Sequence, residues 1–218
     1  MDILSELKKL SLAVLSDALD QLGIDGGCKG IFPRSKNKVI VGKAFTVKFS
    51  KVSSGTFAKA ADYIDEVKPG EVIVIDNEGR DYCTVWGEIL TKVAMYKKLA
   101  GVVIDGACRD IEAIAKSDYP VFSKYVFMKT GKNRVKLAFV QKPVVVSGIG
   151  VNPGDYIRGD ESGILVIPAG KIEATITKAK EIEVNERKIL TAIKQGASLK
   201  EARITFSYNF KPPKNEDY

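Results

Sequence analysis

The sequence predicts an α/β fold, on three observations. Residues 71–116 alternate short apolar runs with helix-periodic runs. Residues 120–168 change to brief strand-like runs divided by Gly, Pro and Asp. Amphipathic helical patterns flank this central region.

Each element has its own signal. Ile3, Leu4, Leu7, Leu10, Val14, Leu15, Ala18 and Leu22 recur every three or four residues, which predicts one helix over 3–22 ended by Gly23. A loop with Gly26, Gly27, Gly30 and Pro33 follows, then a β-branched and aromatic strand over 41–50. Residues 56–66 read as helical, and Pro69-Gly70 as a turn. EVIVID (71–76) and GVVID (101–105) have the run length and composition of buried strands. Residues 87–99 and 110–116 return to a helical period, so 71–116 reads as a right-handed βαβα unit. PVFSKYV, KPVVVSGIGV, GDYIRGD and GILVIP are strand candidates in a β-rich second half. A long helix over about 170–195 breaks near Gly196. Residues 1–204 are expected to form one domain with terminal helices. Residues 205–218, with Pro212 and Pro213, are expected to be an arm or a disordered tail.

Composition narrows the chemistry. At 218 residues and 45% hydrophobic, the chain has material for a packed core. It has no run near the roughly 20 apolar residues of a membrane-spanning helix. The first fifteen residues mix charge into apolar positions, unlike a secretory signal, so a soluble cytoplasmic protein is expected. Three scattered cysteines, Cys28, Cys83 and Cys108, suit buried thiols better than disulfides or a zinc cluster. Histidine is absent, which removes the usual general base and every Ser-His-Asp or Cys-His arrangement. Catalysis would rest on carboxylates, lysine, arginine, backbone dipoles, water or a hard oxygen-liganded ion such as Mg2+. The net charge is +7, but lysines alternate with glutamates, as in KAKEIEVNERK over 178–188. That pattern reads as a solvated surface rather than a nucleic-acid face.

Asp76 and Asp105 end their strand candidates, where α/β folds place sites, but Asp-Asn and Asp-Gly also form turns. In DGACRDIEAIAK, Arg109 and Asp110 stand where a helix should begin. A guanidinium can grip a carboxylate or enolate oxygen, and a neighbouring carboxylate can hold a hard cation. The plain alternative is a capping Asp110 and a surface ion pair for Arg109. In TVWGEILTKVAMYK, Gly87 precedes a helix whose free N–H groups make an anion-binding corner. Glu88 would project from the first turn, or simply complement the helix dipole.

Together, WGEIL and AGVVIDGACRD resemble the central signature of the family of regulator of ribonuclease activity A and 4-hydroxy-4-methyl-2-oxoglutarate aldolase. Its aldolases carry an acidic residue, twenty intervening residues, then Arg-Asp. Here these are Glu88, Arg109 and Asp110, with Glu replacing the more usual Asp. LSDALDQLG (15–23), VGKAFTV (41–47), KPGEVIVID (68–76), VNPGDYIRGDESGILVIP (151–168) and KEIEVNERKI (180–189) extend the resemblance in order along the chain.

The resemblance implies a compact layered α/β/β/α domain of the swivelling phosphohistidine type, assembled as trimers or hexamers. It implies a class II pyruvate aldolase acting on a 4-hydroxy-2-oxo diacid, with oxaloacetate decarboxylation as a further activity. Backbone N–H groups of Gly87, Glu88, Ile89 and Leu90 would bind the substrate carboxylate, and Arg109 the carbonyl. Asp110 would bind Mg2+ or Mn2+. Glu186, or else Glu183, of a neighbouring subunit would support the metal's water shell. No nucleotide cofactor is expected, because VVVSGIGVNPGD lacks the strand-to-helix context of a nucleotide fingerprint, which also counts against a methyltransferase. No Schiff-base lysine stands in the matched motif. The alternative is a non-enzymatic regulator that binds a ribonuclease or another protein.

Overall fold

In a computed structural model, residues 2–35, 38–52, 62–206 and 208 are described. Two helices open the chain, α1 (Ile3–Lys9) and α2 (Leu12–Gln21). The strands β1 (Gly27–Cys28), β2 (Phe32–Pro33), β3 (Ile40–Lys51) and β4 (Glu71–Thr84) follow. Next come α3 (Glu88–Tyr96), β5 (Gly101–Cys108), α4 (Ile111–Lys116) and β6 (Val121–Val126). The later strands are β7 (Val135–Val140), β8 (Val144–Val146), β9 (Ile149–Val151), β10 (Tyr156–Asp160) and β11 (Gly163–Ile167). The helices α5 (Ile172–Lys194) and α6 (Leu199–Thr205) close the described elements. These residues divide into two compact units, one of residues up to Gly26 and from Gly170 onward, the other Gly27–Ala169.

In the helical unit, the single helix expected over 3–22 is two. Ser11 divides them: its backbone is extended, and its Oγ accepts the Val14 N–H at 3.2 Å. A serine side chain that satisfies a free helix donor starts a new helix rather than continuing the old one. Gly23, at φ +70°, ends α2 as expected. The helix α2 packs along α5, burying Val14, Leu15, Ala18 and Leu19 on one side and Ile172, Ile176, Ala179 and Ile182 on the other. Beyond Gly196, Ser198 and Glu201 form a reciprocal capping box that starts α6. The tail expected from residue 205 lies largely outside the described residues.

The second unit is a mixed α/β structure. Its nine-stranded sheet runs β1-β11-β10-β3-β4-β5-β6-β2, and β7 also pairs with β3. The strands β3, β4, β5 and β6 are parallel, which the βαβα reading of residues 71–116 requires of β4 and β5. The β-rich second half joins this sheet antiparallel: β10 takes the first part of β3's outer edge and β7 the last part. The strands β8 and β9 form a separate hairpin. β7 has no counterpart among the expected strands, although Val135, Leu137 and Phe139 alternate at the strand period. The helix expected over 56–66 is described only from residue 62, where Asp62–Glu66 forms a 3-10 turn.

Burial on both sheet faces explains the continuous apolar runs of β4 and β5. Phe45, Val47, Ile73, Ile75, Val102 and Ile104 enter one core with Ala94, Leu99 and Ile114 from the helical side. Their neighbours Ala44, Val72, Val74 and Val103 enter the other core, with Val144, Val146, Val151, Ile157 and Ile164. The alternation sets the register of the central strands, because a one-residue slip would exchange the two faces.

Candidate active site

The site lies beyond the carboxyl ends of the parallel strands β4 and β5. After β4 the chain runs through Val85 and Trp86 to Gly87, which caps α3 with extended backbone, φ −164°. After β5 it reaches Arg109, whose N–H donates to the Trp86 carbonyl at 3.0 Å. That bond ties the two strand exits together. Trp86 is buried, donates from Nε1 to Thr91 Oγ1 at 2.9 Å, and stacks on Tyr119 at 6.4 Å between ring centroids. Burial raises the Tyr119 hydroxyl pKa well above the usual tyrosine range.

Asp110 is the preceding cap residue of α4, but its side chain makes no capping bond there. Its backbone is left-handed, at φ 58°, a conformation that aspartate and asparagine adopt more readily than other non-glycine residues. Asp110 Oδ2 instead accepts the Glu88 N–H at 2.9 Å, at the start of α3. Arg109 Nε stands 3.7 Å from the same oxygen. A Cβ on Gly87 would lie 2.6 Å from Asp110 Oδ2 and 3.2 Å from Arg109 Cγ. Glycine is therefore required there for close approach rather than for its backbone angle.

Gly87, Glu88, Ile89, Leu90, Arg109 and Asp110 all line one pocket of about 200 Å3. The family resemblance implies that the first four bind a carboxylate through their N–H groups. Of these, Glu88 already donates to Asp110, while Ile89 and Leu90 lie in the first helical turn, where N–H groups have no acceptor inside the helix. The Glu88 carboxylate pairs with Lys92 at 2.7 Å, one turn along α3. Glu186 lies on α5 in the helical unit, where the Tyr208 hydroxyl stands 3.5 Å from its Oε1, and Glu183 pairs with Arg187 at 3.0 Å.

The remaining pocket lining was not singled out in the sequence. Phe49 and Val85 supply apolar wall, and Thr130, Gly131 and Lys132 come from the turn before β7. Only a turn-like Thr-Gly-Lys-Asn tetrapeptide marked that loop.

Asp76 and Asp105 have a different task. They are register partners on β4 and β5, and both are buried. Asp76 accepts from Lys48 Nζ at 2.8 Å, Glu78 N at 2.9 Å and Val145 N at 3.2 Å. Asp105 accepts from Ser147 N at 2.8 Å and Lys124 Nζ at 3.3 Å. They anchor the β8–β9 hairpin to the sheet, and their oxygens are engaged in doing so. The three cysteines are free and buried. No described helix is long and apolar enough to cross a membrane.

A family model described as RraA-like, Aldolase/RraA, matches residues 12–166. The chain belongs to the RraA-like family. Protein DlpA of Legionella pneumophila subsp. pneumophila is 42% identical over 95% of this RraA-like chain, which spans only 34% of that protein's length. A protein of Halalkalibacterium halodurans named "Putative 4-hydroxy-4-methyl-2-oxoglutarate aldolase" is 32% identical over 85% of the chain and 86% of its own length. The fold is that of a crystal structure of an uncharacterized protein from Pseudomonas syringae pv. tomato, with a TM-score of 0.87, 44% identity and 93% of each chain covered. In this RraA-like chain, Glu88, Arg109 and Asp110 meet in one pocket although twenty residues separate the first two.

Proposed function

We propose that this RraA-like chain is a metal-dependent pyruvate aldolase that cleaves a 4-hydroxy-2-oxo diacid and also decarboxylates oxaloacetate. The observation that supports it most is the convergence of Arg109 and Asp110 on Gly87 at the start of α3. It puts a guanidinium, a carboxylate and helix N–H donors in one small cleft, with no histidine needed.

The donor set suits a hard cation. Among the described residues no cluster of three or more His, Cys, Asp or Glu side chains is placed to enclose a metal. Asp110 offers carboxylate oxygen at the pocket, and Glu88 a second carboxylate. One or two carboxylates with the remaining positions left to water and substrate is how Mg2+ is usually held, and Mn2+ suits the same oxygen ligands. When bound, such an ion supplies a Lewis acid to the oxygens of the 2-oxo acid.

Within this reading, the N–H groups of Ile89 and Leu90 hold the substrate carboxylate at the positive end of α3. In the cleavage, the C4 hydroxyl loses its proton, the C3–C4 bond breaks, and its electron pair forms the pyruvate enolate while C4 becomes a carbonyl. Arg109 donates to the C2 oxygen, where the charge develops. Glu88 relays the proton through water, and C3 is finally protonated to give pyruvate. Loss of CO2 from oxaloacetate leaves the same enolate and asks the same of Arg109. Trimeric or hexameric assembly, with Glu186 of a neighbouring subunit beside the water shell, belongs to the same proposal. Exposed Ile89 and Tyr96 on α3 support a partner on that face.

Pyruvate release, coupled to lactate dehydrogenase, tests the reading with oxaloacetate and branched 4-hydroxy-2-oxo diacids. Activity should vanish in EDTA and return with Mg2+ or Mn2+. Full activity after thorough chelation would overturn metal dependence and revive a lysine mechanism. No pyruvate from any substrate would favour the protein-binding regulator.

A further inference from the structure

We infer that Lys132 sets the substrate class of this pocket by holding the second, distal carboxylate of a short 2-oxo diacid. The inference rests on the pocket being the 2-oxo acid site proposed above. Lys132 lines the same cleft as Arg109 and the first turn of α3. It stands on an irregular turn, yet the backbone of that turn is held firmly. Thr84 N–H donates to the Lys129 carbonyl at 2.9 Å, and Thr84 and Thr130 form a parallel bridge. Gly131 packs so tightly on the end of β4 that a Cβ would come 2.5 Å from the Thr84 carbonyl oxygen. Arg134 N–H closes the turn on the Gly131 carbonyl at 2.9 Å, and Arg134 Nη1 donates to the Thr130 carbonyl at 3.1 Å.

The Lys132 ammonium has no ion-pair or hydrogen-bond partner among the described residues, whereas Lys92, outside this cleft, is held by Glu88. The 2-oxo acid head uses Arg109 and the helix donors. A monoacid would leave Lys132 without an anion. A diacid brings a second negative charge into the same cleft, which Lys132 lines as a cation without a partner among the described residues. A lysine suits this task, because a flexible point charge can follow a carboxylate whose position varies with branching at C4.

The probes are 2-oxoglutarate and 2-oxopentanoate, which have the same chain length and differ by a carboxylate in place of a methyl. Both are titrated calorimetrically into the Mg2+-loaded protein. The wild type should bind 2-oxoglutarate about tenfold more tightly, the scale of one exposed charge-assisted hydrogen bond. Lys132→Met should abolish that preference, and Lys132→Arg should keep most of it. Equal binding in the wild type, no binding of either acid, or a preference that survives in Lys132→Met overturns the inference. The coupled assay separates it from the aldolase reading. An intact, Lys132-dependent preference without pyruvate release sinks the aldolase reading alone. Pyruvate release with a preference indifferent to Lys132 sinks this inference alone.

Discussion

The Asp110 carboxylate caps a helix that is not its own: Oδ2 accepts the Glu88 N–H at 2.9 Å, at the start of α3, while α4 begins without a side-chain cap. Asp110 thus meets the electropositive end of one helix and the Arg109 guanidinium at once.

The first prediction follows from that geometry. Asp110→Asn keeps an oxygen for the Glu88 N–H, and asparagine tolerates the left-handed backbone at least as well. Thermal stability should change by less than about 0.5 kcal/mol. If the negative charge serves the chemistry, pyruvate formation should nevertheless fall by two orders of magnitude or more. Arg109→Lys keeps the charge but loses the planar two-pronged donor. Its turnover should drop on the order of 100- to 1000-fold, as for loss of one preorganised oxyanion donor. Near-normal rates in both folded variants would sink the site assignment.

Gly87→Ala separates steric from conformational effects. The extended backbone of Gly87 suits any residue, so folding should be little affected. The added methyl would press on Asp110 Oδ2 and on the Arg109 side chain. Displacing two site groups by a fraction of an ångström should lower kcat/KM by about 100-fold, since misplacement near 1 Å carries that scale of loss. Parallel melting curves and rates would show it. A rate close to wild type would mean that the close approach at Gly87 has no part in catalysis.

Much of this site was legible because its signals are local. Gly87 before a helical period, and Arg109-Asp110 after a buried strand, each marked a strand-to-helix junction in the sequence. What brings them together, the Arg109 N–H to Trp86 carbonyl bond and the Asp110 reach to Glu88, joins residues twenty or more apart and leaves no periodic trace. Lys132 was hidden for the same reason, because its loop reaches the pocket by docking on Thr84. The break at Ser11 shows the opposite failure. There a local capping signal was present, but the continuous apolar stripe of residues 3–22 outweighed it in the reading. Asp76 and Asp105 looked like site residues by position, and only the hairpin they hold, remote in sequence, reveals their task.

That task predicts a stability effect without a direct chemical one. Asp76→Ala would leave the N–H groups of Glu78 and Val145 without their acceptor, and the Lys48 ammonium with Glu78 alone, at 3.2 Å. Leaving buried N–H donors unsatisfied costs about 1–3 kcal/mol, and Lys48, partly exposed and still paired with Glu78, adds little to that. Denaturant unfolding should show the loss, while the folded variant at low temperature still forms pyruvate. A variant as stable as wild type but inactive would return Asp76 to the catalytic machinery.

The last prediction concerns acid. Glu6 on α1 lies between Lys180 of α5, its stronger partner, and Lys9, whose Nζ is 2.9 Å away. The hydrogen bond from Lys180, then that from Lys9, lower its pKa from 4.5 to about 2. A carboxyl whose folded pKa lies below its unfolded value stabilises the fold fully above the unfolded value. That contribution fades as pH falls through the window from 4.5 to about 2, where the folded state takes up the proton too. Glu6→Gln removes the titration. In urea unfolding followed on the helical unit, Glu6→Gln should be less stable than wild type at pH 7, by an amount that stays constant down to about pH 5. The two should converge as pH approaches 2. High salt at pH 7 should also narrow the gap, because both lysines are exposed enough to be screened. A gap that persists undiminished at pH 2 would show that Glu6 stabilises α1 by packing rather than by charge.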